Sequence, residues 1–118
     1  MGLDSFAYSV KEHQVNGDFD YDSEGQEFFY WRKNHQLHNW MNQLYRDKGG
    51  QDESFNCVKL RLTNEDLDKL ERDIRSKTNF KYDDSSYGDD LYRQDLRFID
   101  EARILIDEGK AVYYDSWW

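Results

Sequence analysis

Proline is missing from all 118 residues, against an average of about 5%, so no part of the chain reads as a proline-rich linker or SH3-type ligand. Cys57 is the only cysteine, which rules out an intrachain disulfide and a zinc site built on thiolates. No run approaches the roughly 18 apolar residues of a membrane span, and the start lacks a basic and then apolar signal. A soluble, cytoplasmic protein without a membrane partner is expected. Basic residues are scarce: 16 against 25 acidic ones, a net charge of −9. Residues 1–60 carry ten acids and six bases, and residues 61–118 fifteen and ten, so the acidity is no mere tail. A nucleic-acid site needs a cationic surface to displace counterions, so no direct nucleic-acid binding is expected. Gly-x-Ser-x-Gly, a Gly-rich phosphate loop, a Rossmann fingerprint and His-Glu-x-x-His are also absent.

Aromatic side chains are plentiful. They make up 17% of residues while hydrophobic residues as a whole make only 37%, so a few large rings, each covering about 150–250 Å², must supply much of the burial. Disordered chains are poor in such residues, and one domain over residues 1–118 is the natural size.

Periodicity gives the elements. Ser5 to Lys11 alternates Phe6, Tyr8 and Val10 with Ser5, Ala7, Ser9 and Lys11, a strand with one buried face. From Glu12 to Gln26 the pattern is a polar loop or short edge strand. A first helix is predicted from Trp31 or Arg32 to Tyr45, with Leu37, Trp40, Met41, Leu44 and Tyr45 as its apolar stripe, ended by Lys48-Gly49-Gly50. Asn56 to Leu62 reads as a second strand, with Cys57 a small buried hydrophobe. Thr63 and Asp66 form a capping pair for a second helix with Leu67, Leu70 and Ile74 buried. After a polar loop over residues 78–88, a third helix runs from Asp89 to Glu108, its inner face Tyr92, Leu96, Ile99, Ala102 and Ile106, stopped by Gly109. Ala111 to Asp115 is a third strand. The expected fold is α+β: about three strands in a small sheet packed against three helices.

Unusual chemistry concentrates in Tyr30–Trp40. Near a helix start, Tyr30, Trp31, Arg32 and Lys33 could hold an anion or a flat ring, because the free N–H groups and the dipole favour negative charge. His38 would move a proton in a catalytic version of this site. His35 and His38 are neighbours on a helix, yet two histidines alone make no zinc site, and no metal or cofactor is expected. Asp18-x-Asp20-x-Asp22-x-Glu24 resembles the opening of a calcium loop but has Ser23 and Phe29 where the EF-hand needs Gly and Glu, so it reads as a solvated acidic loop.

Three blocks carry a resemblance: Met1-Gly2-Leu3-Asp4-Ser5-Phe6-Ala7-Tyr8, Tyr30-Trp31-Arg32-Lys33 with Leu37-His38-Asn39-Trp40, and Tyr113-Tyr114-Asp115-Ser116-Trp117. Together, over about 30 residues, they resemble a family of small uncharacterised proteins of bacteriophages and some bacteria. These begin Met-Gly-Leu-Asp-x-Tyr/Phe and carry a Tyr-Trp-Arg-Lys…Ile/Leu-His-x-Trp segment. The resemblance implies a setting, the infected bacterial cytoplasm, and singles out Tyr30, Trp31, Arg32, Lys33, His38 and Trp40. The expected function is that of a non-enzymatic, acidic accessory protein that binds a host macromolecule. Alternatives are a small-ligand or catalytic site with an anion held at Tyr30–His38, and a DNA mimic that imitates a phosphate array.

Overall fold

Alternation along β1 (Asp4–Lys11) separates small side chains from aromatic ones, and the small ones face the core. Ser5 and Ala7 are fully buried and Ser9 nearly so, while Phe6 and Tyr8 lie half-buried on the opposite face. The computed structural model describes residues 2–22, 25–78, 80–82 and 85–118. The elements run β1, a 3-10 turn (Glu12–Gln14), β2 (Gln26–Arg32), α1 (His35–Asp47), β3 (Leu60–Leu62), α2 (Asn64–Arg75), α3 (Ser86–Asp107) and β4 (Lys110–Trp117).

The four strands form one antiparallel sheet in the order β2-β1-β4-β3. The fold is α+β as expected, but the sheet has four strands, not three. The extra strand is β2, which places Tyr30, Trp31 and Arg32 in the sheet, and α1 begins only at His35. Phe28, Phe29 and Trp31 break a clean two-residue alternation because a bulge shifts the register between Ala7 and Tyr8, and that hides the strand from a periodicity reading.

Register explains the small residues of β1. Ser5 stands between Trp31 and Ser116, and Ala7 between Phe29 and Tyr114, so rings from both neighbouring strands fill the space that Ser5 and Ala7 leave. Leu60 and Leu62 continue this face opposite Tyr114 and Val112. Against it pack Leu37, Trp40, Met41, Leu44 and Tyr45 of α1, Leu67, Leu70 and Ile74 of α2, and Phe98, Ile99 and Ala102 of α3, in one cluster. The stripes predicted for α1 and α2 are buried throughout. On α3 the buried face is centred one position earlier than expected: Asp95 and Phe98 join Ile99 and Ala102, while Tyr92, Leu96 and Ile106 lie at its margins. Phe98 earns its depth by meeting Trp31 edge-on at 4.7 Å and Phe29 at 5.6 Å.

The helix ends follow the sequence signals. Thr63 Oγ1 accepts from the Asp66 amide and Asp66 returns a bond to the Thr63 amide at 2.9 Å. Gly49 and Gly109 take φ of +96° and +87° just past α1 and α3, a backbone region that glycine enters without cost. Cys57 does not fulfil its expectation. It is exposed, and its left-handed backbone (φ +59°) ends the alternation before β3 begins at Leu60.

No helix among the described residues is long and apolar enough to cross a membrane. Truncating Phe98 to alanine should cost about 3–5 kcal/mol. Ile104→Ala, on the exposed side of the same helix, should change stability by no more than about 0.5 kcal/mol. Urea unfolding of the two variants beside the parent chain checks both.

Candidate functional site

Strand geometry divides the Tyr30–Lys33 motif, because successive residues of a strand point to opposite faces. Trp31 is fully buried in the main core. Tyr30 and Arg32 project from the other face of the sheet, where Tyr30 is 43% exposed and its hydroxyl donates to Asp4 Oδ1 at 2.6 Å. Lys33 is exposed at the turn into α1, with φ +56° and its amide bonded to the Leu3 carbonyl at 2.7 Å. His38 lies beyond the first turn of α1, 8% exposed. Neither Arg32 nor Lys33 lines the cavity at His38, so the cations and the imidazole do not share one pocket.

A polar tie fixes the start of α1. Asn34 caps the helix by accepting from the Leu37 amide, and its Nδ2 donates to Asp95 Oδ1 at 2.9 Å. The Tyr82 hydroxyl donates to the other carboxylate oxygen at 2.6 Å. Burial pushes the Asp95 carboxyl up to about 6, against the pull of the bonds from Tyr82 and Asn34 and a weaker contribution from the Trp31 indole. One acidic side chain in the core thereby joins α1, α3 and the segment at residues 80–82.

His38 ends a second polar chain. The Tyr114 hydroxyl lies 2.8 Å from Ser5 Oγ and 3.0 Å from His38 Nδ1, running from the centre of the sheet to α1. Burial, and secondarily the neighbouring His35, lower the His38 pKa to about 4, although a hydrogen bond to the Phe55 backbone opposes them. The ring is therefore neutral at pH 7. Burial also pushes the Tyr114 phenol well above its ordinary range. The exposed edge of this chain opens on a cavity of about 430 Å³ whose walls include Leu3, His35, Asn42, Phe55 and Trp118.

The outer face of the sheet is covered at one end. Val15 and Tyr21 fold across Val10, Ala111 and Tyr113, and the Tyr113 hydroxyl donates to the Gly17 carbonyl at 2.6 Å. Beyond that cover the register sets out two rows: Arg32, Asp4 and Trp117, then Tyr30, Phe6 and Asp115. Phe6 and Tyr30 are 5.3 Å apart and Phe6 and Tyr8 6.3 Å. Trp117 is 66% exposed. Burial is the main reason that the Asp115 carboxyl titrates above its usual range.

The acidic segment Asp18 to Asp22 makes local bonds: Lys59 pairs with Asp20 at 3.4 Å, and the Asp18 carbonyl accepts from the Arg61 amide at 2.7 Å. Glu24, Asp83 and Asp84 lie outside the described residues. Among those described, no three His, Cys, Asp or Glu side chains gather as metal ligands. Sequence reasoning missed Asp95, Phe55 and Trp118. Asp95 stands one helical step from Ile99, on the predicted inner face, and a carboxylate at that position is the one signal that could have marked it.

His38 and Asp95 act oppositely on acid stability. The folded pKa of His38 is below its unfolded value of 6.5, so its contribution is whole above pH 6.5 and is lost as pH falls through about 4. Asp95 is raised from 3.8 to about 6, so its contribution is whole below pH 3.8 and is lost as pH rises through about 6. His38→Gln should therefore lose less stability than the parent between pH 6.5 and 4, and Asp95→Asn should lose more. Urea midpoints at three pH values across that window check both signs. A comparison with protein-family models, curated proteins and solved structures finds no match.

Proposed function

We propose that this protein is a non-enzymatic binding protein that docks on a host protein through the uncovered part of its outer sheet face. The observation that carries this reading is the aromatic surface of Phe6, Tyr8, Tyr30 and Trp117, set among Asp4, Glu27 and Asp115. Aromatic anchors ringed by polar groups are the usual makings of a protein contact. The rings stand on a rigid sheet, so little side-chain freedom is lost when a partner covers them. The carboxylates favour a partner whose apolar patch is rimmed by lysine or arginine. The resemblance to phage proteins supports a bacterial partner and a cytoplasmic setting.

Imitation of a phosphate array is the weaker reading. Glu12, Asp20, Asp66, Asp68, Glu71 and Asp89 already hold cations of this chain, which reduces the acidity offered outward.

Affinity capture from a bacterial lysate, with the parent chain and Trp117→Ser as baits, tests the proposal. A specific partner should be retained by the parent and depleted at least tenfold by Trp117→Ser, with moderate weakening at high salt. Equal capture by both baits would contradict it, and so would binding that ignores Trp117 yet vanishes with salt, which is the behaviour of a phosphate mimic.

A further inference from the structure

The two edges of the sheet are finished differently. At one edge β3 is only three residues long, and its Arg61 amide donates to the Asp18 carbonyl at 2.7 Å, a short, covered edge of the kind that resists further pairing. At the other edge β2 has seven residues. The Lys33 amide bonds to the Leu3 carbonyl, which makes Leu3 and Lys33 a bonded pair. Alternation along an antiparallel ladder then turns the N–H and C=O of Arg32 and Tyr30 away from β1. Among the described residues, those four groups have one partner, the Gln94 amide at 3.5 Å from the Tyr30 carbonyl, which is at the outer limit of a hydrogen bond. The bulge lies at Glu27–Phe29 and leaves the stretch from Phe29 to Arg32 regular.

Charge along this edge is ordered. Glu27 stands at one end and Arg32 and Lys33 at the other, all three exposed. Among the described residues none of them forms an ion pair within the chain. A strand laid antiparallel on β2 meets this pattern end to end, so it must carry a cation beside Glu27 and an acid beside Arg32 and Lys33. A second copy of β2 meets both demands by symmetry. A two-fold axis at Tyr30 faces the outward groups of that residue with the same groups of the other copy, and brings Glu27 of each copy beside Lys33 of the other. That register also keeps the core-facing side chains of both copies on one side of the sheet.

We infer that β2 pairs with β2 of a second copy of this chain, joining two four-stranded sheets into one continuous sheet across a two-fold axis at Tyr30. The copies meet edge to edge, so their aromatic outer faces lie side by side. The dimer is independent of what docks on those faces.

Analytical ultracentrifugation of the full chain from micromolar to millimolar concentration, with amide hydrogen exchange at both extremes, tests the inference. The mass should rise from that of one chain to that of two, and the Tyr30 and Arg32 amides should exchange at least tenfold more slowly in the dimer. Glu27→Lys or Lys33→Glu alone should weaken association about tenfold, because each puts like charges together at two places. The double swap, which again sets opposite charges side by side, should return association to within about threefold of the parent. Trp117→Ser, on the docking face, should leave it unchanged. A chain that stays monomeric at millimolar concentration would overturn the inference and leave the edge to a strand of another protein. A dimer in which the Tyr30 and Arg32 amides exchange as in the monomer, single reversals without effect in folded protein, or a double swap no better than either single change would overturn it as well.

Discussion

The pairing of β1 with β4 holds the molecule together, because these two strands are the centre of the sheet: β2 pairs with β1, β3 pairs with β4, and α3 packs on β4. Their register runs unbroken from Asp4 opposite Trp117 to Lys11 opposite Lys110. It sets Ala7 against Tyr114 and Ser5 against Ser116 on the inner face. Small residues on β1 leave room that Trp31, Phe29 and Tyr114 fill, and Phe98 closes the cluster from α3. A close-packed interior has no slack for the opposite choice: Phe6 and Tyr8 turned inward would need space that these rings already occupy. The same parity leaves Phe6, Tyr8, Tyr30 and Trp117 outside. A packing constraint on one face thus produces the aromatic surface on the other.

Two polar chains cross this apolar interior, and both end at α1. Asp95 holds the capping Asn34 and Tyr82, and Tyr114 joins Ser5 to His38. Buried polar groups are costly unless they find partners. Here the partners come from elements far apart in the chain, Asn34 and Asp95 being 61 positions apart and Ser5 and Tyr114 109 apart. The chains fix the orientation of α1 over the sheet, and with it the position of His38 at the cavity mouth.

Much of the fold was legible from local pattern. The α1 and α2 stripes, the Thr63–Asp66 box and the glycine stops depend on residues within one or two helical turns, and sequence displays such spacing directly. What escaped depends on distant neighbours. A strand at residues 26–32 is obscured by the bulge that pairs Ala7 with Phe29 and Tyr8 with Glu27. Alternation in β1 shows two faces but not which one the helices cover, since that follows from the bulk of Trp31 and Tyr114 beside it. The Tyr30–Lys33 motif looked like a single site because its residues adjoin in sequence; extended backbone sends Trp31 inward and Tyr30 and Arg32 outward. Phe55 and Trp118 meet His38 from distant parts of the chain, and no local spacing announces that contact.

The orientation of β1 is the claim on which the docking face and the inner network both rest, and paired substitutions on its two sides test it most directly. Urea unfolding of Phe6→Thr should remain cooperative and within about 2 kcal/mol of the parent, because a β-branched residue suits a half-exposed strand position. Ala7→Asp places an unpaired charge in the core and should abolish the cooperative transition. A folded Ala7→Asp protein beside an unfolded Phe6→Thr protein would contradict the account.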